Sequence, residues 1–112
     1  MNDKESFGIE MESYQRLTKF LKSESSIDEV ILFGSRAIGH ARKGSDIDLA
    51  LKGPLLTSSS VSSLRAFINQ ELPIPYSVDL VHYDSLENTA LKHHIDTEGI
   101  HFFKDQKTAH TN

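Results

Sequence analysis

Three aspartates carry most of the chemistry this sequence can offer. Asp46 and Asp48 stand two apart in Asp46-Ile47-Asp48-Leu49-Ala50-Leu51-Lys52, a stretch that alternates cleanly between polar or small and apolar residues. Such alternation marks a strand, so both acids point to one face while Ile47, Leu49 and Leu51 point to the other. Same-face neighbours on a strand lie about 6.6–6.8 Å apart, and an adjoining strand lies about 4.8 Å away. Carboxylates on that grid can converge on two divalent ions about 3.5–4 Å apart, the separation used for in-line phosphoryl transfer. Asp79, in the short run Ser77-Val78-Asp79-Leu80-Val81, is the third acid such a site would want. Oxygen ligands without cysteine favour Mg²⁺ or Mn²⁺ over zinc.

A turn supplies the other half of a nucleotide site. Val30 to Phe33 is an unbroken apolar run, as expected for a strand buried on both faces, and it leads straight into Gly34-Ser35. Gly34 lets the backbone approach a phosphate closely, and Ser35 offers a hydroxyl and a main-chain N–H. Arg36, Arg42 and Lys43 follow with no acid among them, a local cationic loop that could hold a triphosphate. The plain alternative is a solvated strand edge beside an ordinary turn.

Gly34-Ser35, ten residues, then Asp46-x-Asp48 resembles the signature of the DNA polymerase β-type nucleotidyltransferase superfamily. The fuller string GSRAIGHARKGSDIDLALKG resembles its minimal nucleotidyltransferase branch. The run Leu91 to Phe103, with Ile95, Glu98-Gly99 and Phe102-Phe103, is similar to the end of that branch, so the resemblance spans about residues 28–103. It implies an α/β fold around a small mixed sheet, with helices chiefly on one face and the active site on the other. It further implies that Asp46 and Asp48 hold two Mg²⁺ ions, and that Asp79 binds the metal that activates the acceptor and takes its proton. Gly34, Ser35 and Arg36 would hold the β- and γ-phosphates.

The implied reaction is transfer of a nucleoside monophosphate, AMP from ATP, to a hydroxyl. Larger members of the superfamily grip the acceptor with an extra domain, for which 112 residues leave no room. The resemblance therefore implies a partner chain: a HEPN-domain toxin, neutralised by AMP added to one of its tyrosines, with this chain as the antitoxin in a hetero-oligomer. Two alternatives stay open. One is a non-catalytic antitoxin that occludes its partner; the other is a nucleotidyltransferase acting on a small molecule such as an aminoglycoside.

Composition narrows the class. The length fits one domain with a modest core, expected over about residues 9–104 with polar termini. A net charge of −4 argues against a general nucleic-acid surface. No cysteine is present, and no apolar run approaches the ~18 residues of a membrane span. A cytoplasmic protein without a membrane anchor is the expectation.

The elements that must position the site can be read from periodicity. Helical spacing of Tyr14, Leu17, Phe20 and Leu21 predicts a helix from about Ile9 to Ser23. The serine-rich segment Thr57 to Ser63 reads as a capped helix start, because Val61, Leu64, Phe67, Ile68 and Leu72 continue at helical spacing. Pro73-Ile74-Pro75 ends that helix. Asp84-Ser85-Leu86-Glu87 predicts the start of a last helix running to about Glu98, with Gly99 as its C′ residue. Ile100 to Phe103 reads as a short strand or a segment packed back on the core. His93, His94 and His101 near Glu98 offer a competing zinc site, although adjacent His93 and His94 diverge by about 100° on a helix. Tyr14, Tyr76 and Tyr83 read as aromatics at the edge of the core.

Overall fold

The first predicted helix forms as α1, Met11–Ser23, because Leu17 and Leu21 fall on one side and are wholly buried. The computed structural model describes residues 7–42 and 44–102. Lys43 and residues 103–112 lie outside them, as do residues 1–6 of the polar end expected at residues 1–8. Among the described residues four strands make one sheet: β1, Glu29–Phe33; β2, Ile47–Lys52; β3, Val78–His82; and β4, Ile100–His101. Their spatial order is β3-β2-β1-β4. β1 runs antiparallel to both β2 and β4, whereas β2 and β3 are parallel, so the sheet is mixed.

The apolar run of β1 is buried on both faces, as its composition predicts. Val30 and Leu32 join Leu17, Leu21, Val61, Ile68, Ile47, Leu49, Leu51, Val78 and Leu80 in the main core under α1 and a second helix, α2, Ser58–Glu71. Ile31 and Phe33 point the other way and pack with Ala50 and Ile95 of α3 in a smaller cluster. Two helices thus cover one face and α3, Thr89–Glu98, covers part of the other. The uncovered part of that second face carries Asp48 and Asp79.

Local chemistry explains most boundaries. The helix α2, Ser58–Glu71, starts where Thr57 Oγ1 accepts from Ser60 N–H and Ser60 Oγ accepts from Thr57 N–H, a reciprocal box built from two hydroxyls. The last helix begins later than its Asp84 cap predicts. Tyr83–Ser85 forms a 3₁₀ turn, closed by Leu86 N–H on Tyr83 O, and Ser85 Oγ is engaged by His82 Nδ1 and the Ser58 hydroxyl. Asn88 is the cap instead, its Oδ1 accepting from Leu91 N–H at 2.9 Å. Gly99 does end α3, but in an extended conformation with φ −67° rather than a left-handed one. Its lack of a side chain matters because a Cβ there would run into Ile31 Cγ2 and the Ile95 carbonyl. Ile100 and His101 pair with Leu32 and Ile31, and Phe102 beyond them is fully buried.

Candidate active site

Strand register decides the site. In the parallel β2–β3 pair Asp48 lies opposite Asp79, and in the antiparallel β1–β2 pair it lies opposite Phe33. Asp48 is therefore flanked by Asp79 on one side and by Gly34, the residue after Phe33, on the other. Asp46 precedes the first residue of β2, is exposed, and shares Asp48's side of the chain by alternation. Asp46, Asp48 and Asp79 line one open cleft of about 530 Å³ with Ser62, Arg65 and Asn69 of α2.

Charge crowding is visible in Asp48. Burial pushes its carboxyl pKa above the ordinary value, and the charges of Asp79 and Asp46 push it further; Arg36 and His94 oppose them. A half-buried carboxylate with two acidic neighbours and an all-oxygen donor set fits a hard divalent cation. Among the described residues, however, no three histidine, aspartate or glutamate side chains are gathered as a ready-made metal cage. Asp79 is instead tied to Arg65, whose Nε lies 3.1 Å from its Oδ1. The edge strand that carries Asp79 is pinned just before it: the Asn69 amide donates to Val78 O at 2.8 Å and accepts from Val78 N–H at 2.9 Å.

The turn Gly34–Arg36 is a single 3₁₀ turn at the end of β1, with Gly34 at φ +79°. That conformation suits glycine, and a Cβ there would collide with Asp48 Oδ2. The close approach expected of Gly34 is thus made to the carboxylate. Its N–H donates to His94 Nε2 at 2.9 Å, and the His94 ring meets Phe33 edge to face. Ser35 sits beside it, half-buried, with its carbonyl accepting from His40 N–H.

Arg36, expected at the phosphates, is placed otherwise. Only 6% of it is exposed. Its Nη2 donates to Ser45 O at 2.6 Å, Nη1 to Phe7 O at 3.0 Å and Nε to Asp46 O at 3.3 Å. The guanidinium also lies over the Tyr76 ring, 5.3 Å from its centre. Burial lowers its pKa, although Tyr76, Asp48 and Asp46 pull the other way. Arg36 braces the loop that delivers Asp46 rather than reaching into the cleft.

Three residues reach the site in roles that the sequence pattern does not give. His94, part of the competing zinc reading, accepts from the Gly34 N–H instead, and His101 pairs with Glu29 at 2.7 Å. Arg65 and Asn69 lie on an amphipathic helix where an exposed polar residue carries no signal of its own. Only the pairing of α2 with β3 brings them to Asp79. The three tyrosines do sit at core edges: Tyr14 and Tyr76 pack on the larger cluster and Tyr83 on the smaller.

A small mixed sheet with acids on one face and a glycine turn against them defines a class, the polymerase β-like nucleotidyltransferase fold. The profile described as "Polymerase beta, Nucleotidyltransferase" matches residues 15–108. The chain belongs to that family.

Solved structures agree on the fold. One similar chain comes from a crystal structure of a toxin–antitoxin with AMP-PNP, at 26% identity and TM-score 0.66, covering 85% of this chain and 76% of that one. Another comes from tri-AMPylated Shewanella oneidensis HEPN toxin in complex with MNT antitoxin, at 23% identity and TM-score 0.62, covering 88% and 75%. A third, from the toxin–antitoxin MntA–HepT, has 23% identity and TM-score 0.63 over 88% and 76%. No curated protein matches the chain in sequence. Among the described residues no helix is long and apolar enough to cross a membrane.

Proposed function

We propose that this chain transfers AMP from ATP to a tyrosine hydroxyl of a HEPN-domain toxin and so acts as its antitoxin. The observation that carries the reading is the register: Asp48 stands beside Asp79 on one flank and against the Gly34 turn on the other. Donors for phosphate and acids for the reacting end therefore meet at one point of the sheet. Support for the partner comes from similar chains that occur in toxin–antitoxin crystals, one with AMP-PNP and one whose toxin is AMPylated.

The roles follow from position. Ser35, and Gly34 once its N–H exchanges His94 Nε2 for a phosphate oxygen, would hold the β- and γ-phosphates; Arg36 keeps the loop in place behind them. Asp46, Asp48 and Asp79 would hold two Mg²⁺ ions, or Mn²⁺, which when bound supply neutralisation of the phosphates and acidify the acceptor hydroxyl. The acceptor oxygen attacks the α-phosphorus and its proton passes to Asp79. The bond between the α-phosphorus and the bridging oxygen breaks, and pyrophosphate leaves. Catalysis is then chiefly positioning and charge neutralisation. We assign the reaction to the cytoplasm, in keeping with a chain that has no cysteine.

ATP labelled at the α- or the γ-phosphate tests this. With Mg²⁺ and the purified partner, α-label should appear on the partner and γ-label should not. Transfer of γ-label, or α-label on neither protein, would overturn the proposal.

A further inference from the structure

In-line transfer constrains where the acceptor enters. In the proposed reaction the leaving phosphates take the Gly34 side of Asp48, so the attacking hydroxyl must come from the opposite side. On that side lies Asp79, and beyond it the part of the cleft formed by Ser62, Arg65 and Asn69. Among the described lining residues three are acids and Arg65 alone is basic. Asn69 spends its amide on the β3 backbone. Arg65 touches Asp79 through Nε, and 57% of its side chain remains exposed.

Arg65 thus has one ion-pair partner in Asp79 and exposed surface for a second. In this structure Arg65 is the cation beside Asp79. An Asp79 engaged with the acceptor, as the proposed reaction requires, would hold the guanidinium less, leaving its planar fork at the mouth of an acidic cleft. A carboxylate suits that fork in shape and charge. We propose that Arg65 is a specificity residue of the acceptor side, and that it selects a hydroxyl whose polypeptide neighbourhood includes an aspartate or glutamate. The inference rests on the proposed transfer to a partner protein. It adds which part of the cleft the acceptor uses and which charge it brings.

The test is steady-state transfer from α-labelled ATP to the full-length partner, with AMP-PNP binding measured in parallel by calorimetry. Arg65→Gln should raise the partner KM about fivefold or more, the scale of a solvent-exposed ion pair between proteins. The AMP-PNP Kd should stay within about twofold, since Arg65 lies away from the phosphates. Arg65→Lys should recover part of the loss, and Arg65→Glu should exceed it. Changing each acid near the partner's modified tyrosine to Lys should then identify one whose replacement rescues Arg65→Glu, the coupling a double-mutant cycle detects. A merely structural arginine would shift both constants and show no such rescue. Unchanged partner KM in Arg65→Gln, or rescue by no acid, overturns the inference while the transfer reaction stands. Absence of transfer by the wild type overturns both.

Discussion

Replacing Arg36 with Met separates a brace from a phosphate ligand. The substitution keeps much of the buried volume but removes three hydrogen bonds at 2.6, 3.0 and 3.3 Å and the stacking on Tyr76. Hydrogen bonds to a charged group contribute about 1.5–3 kcal/mol each. The longest of the three counts for little, and relief from burying the cation offsets part of the loss. A net destabilisation of about 2–4 kcal/mol follows, which for a chain of this size lowers the melting temperature by roughly 10–15 °C. Thermal unfolding of the ligand-free protein measures it, with Arg36→Lys as the companion. Lysine keeps the charge but has no planar fork for three carbonyls, so it should lose more than half as much stability. If Arg36→Met melts within about 2 °C of the wild type yet binds AMP-PNP far more weakly, the residue is a phosphate ligand and the brace is refuted.

Three other variants probe the site itself. The folded-state pKa of Asp48 lies above its ordinary value, so its cost to the fold is absent below that value, grows as pH rises, and is constant above the folded pKa. Asp48→Asn should therefore raise the ligand-free melting temperature at neutral pH and leave it unchanged near about pH 3; a lower melting point at neutral pH would contradict the crowding of the acids. Gly34→Ala must take a φ of +79° and push Asp48 Oδ2 aside, so it should cost about 1–3 kcal/mol in melts and slow transfer at least about tenfold. Full activity in that variant would mean the turn is not built around the carboxylate. Asn69→Ala strips both backbone groups of Val78 of their partner; a loss of about 1–2 kcal/mol with unchanged AMP-PNP affinity is expected, and weaker nucleotide binding would argue against it.

Local pattern carried the sequence a long way because the relevant elements announce themselves locally. Alternation around Asp48 and the apolar run before Gly34 are properties of neighbouring residues, and both strands form as their pattern requires. The spaced apolar residues after Thr57 likewise override a serine content that suggests a linker. Where two local signals competed, tertiary contacts decided. Asp84 and Asn88 are both able caps, and the contacts of Ser85 with His82 and Ser58 hold the first in a 3₁₀ turn. Gly99 is a glycine for want of space beside Ile31, a constraint set by a strand distant in sequence. The same limit hid Arg36. Its position after Gly34-Ser35 suggests phosphate, yet its fate depends on carbonyls of Phe7, Ser45 and Asp46 that only the folded loop brings within reach. Arg65, Asn69 and His94 reach the site through the docking of α2 and α3, which no spacing within either helix encodes.

In the proposed function the acids beside the Gly34 turn drive AMP transfer to a partner. Intact-mass spectrometry of the proposed HEPN-domain partner tests it most directly, after incubation with ATP, Mg²⁺ and either the wild-type chain or Asp48→Asn. The wild type should add one or more AMP units to a tyrosine of the partner, and Asp48→Asn, folded and still bound to the partner, should add none. A partner left unmodified yet neutralised by both proteins would contradict the claim, as would equal modification by the two.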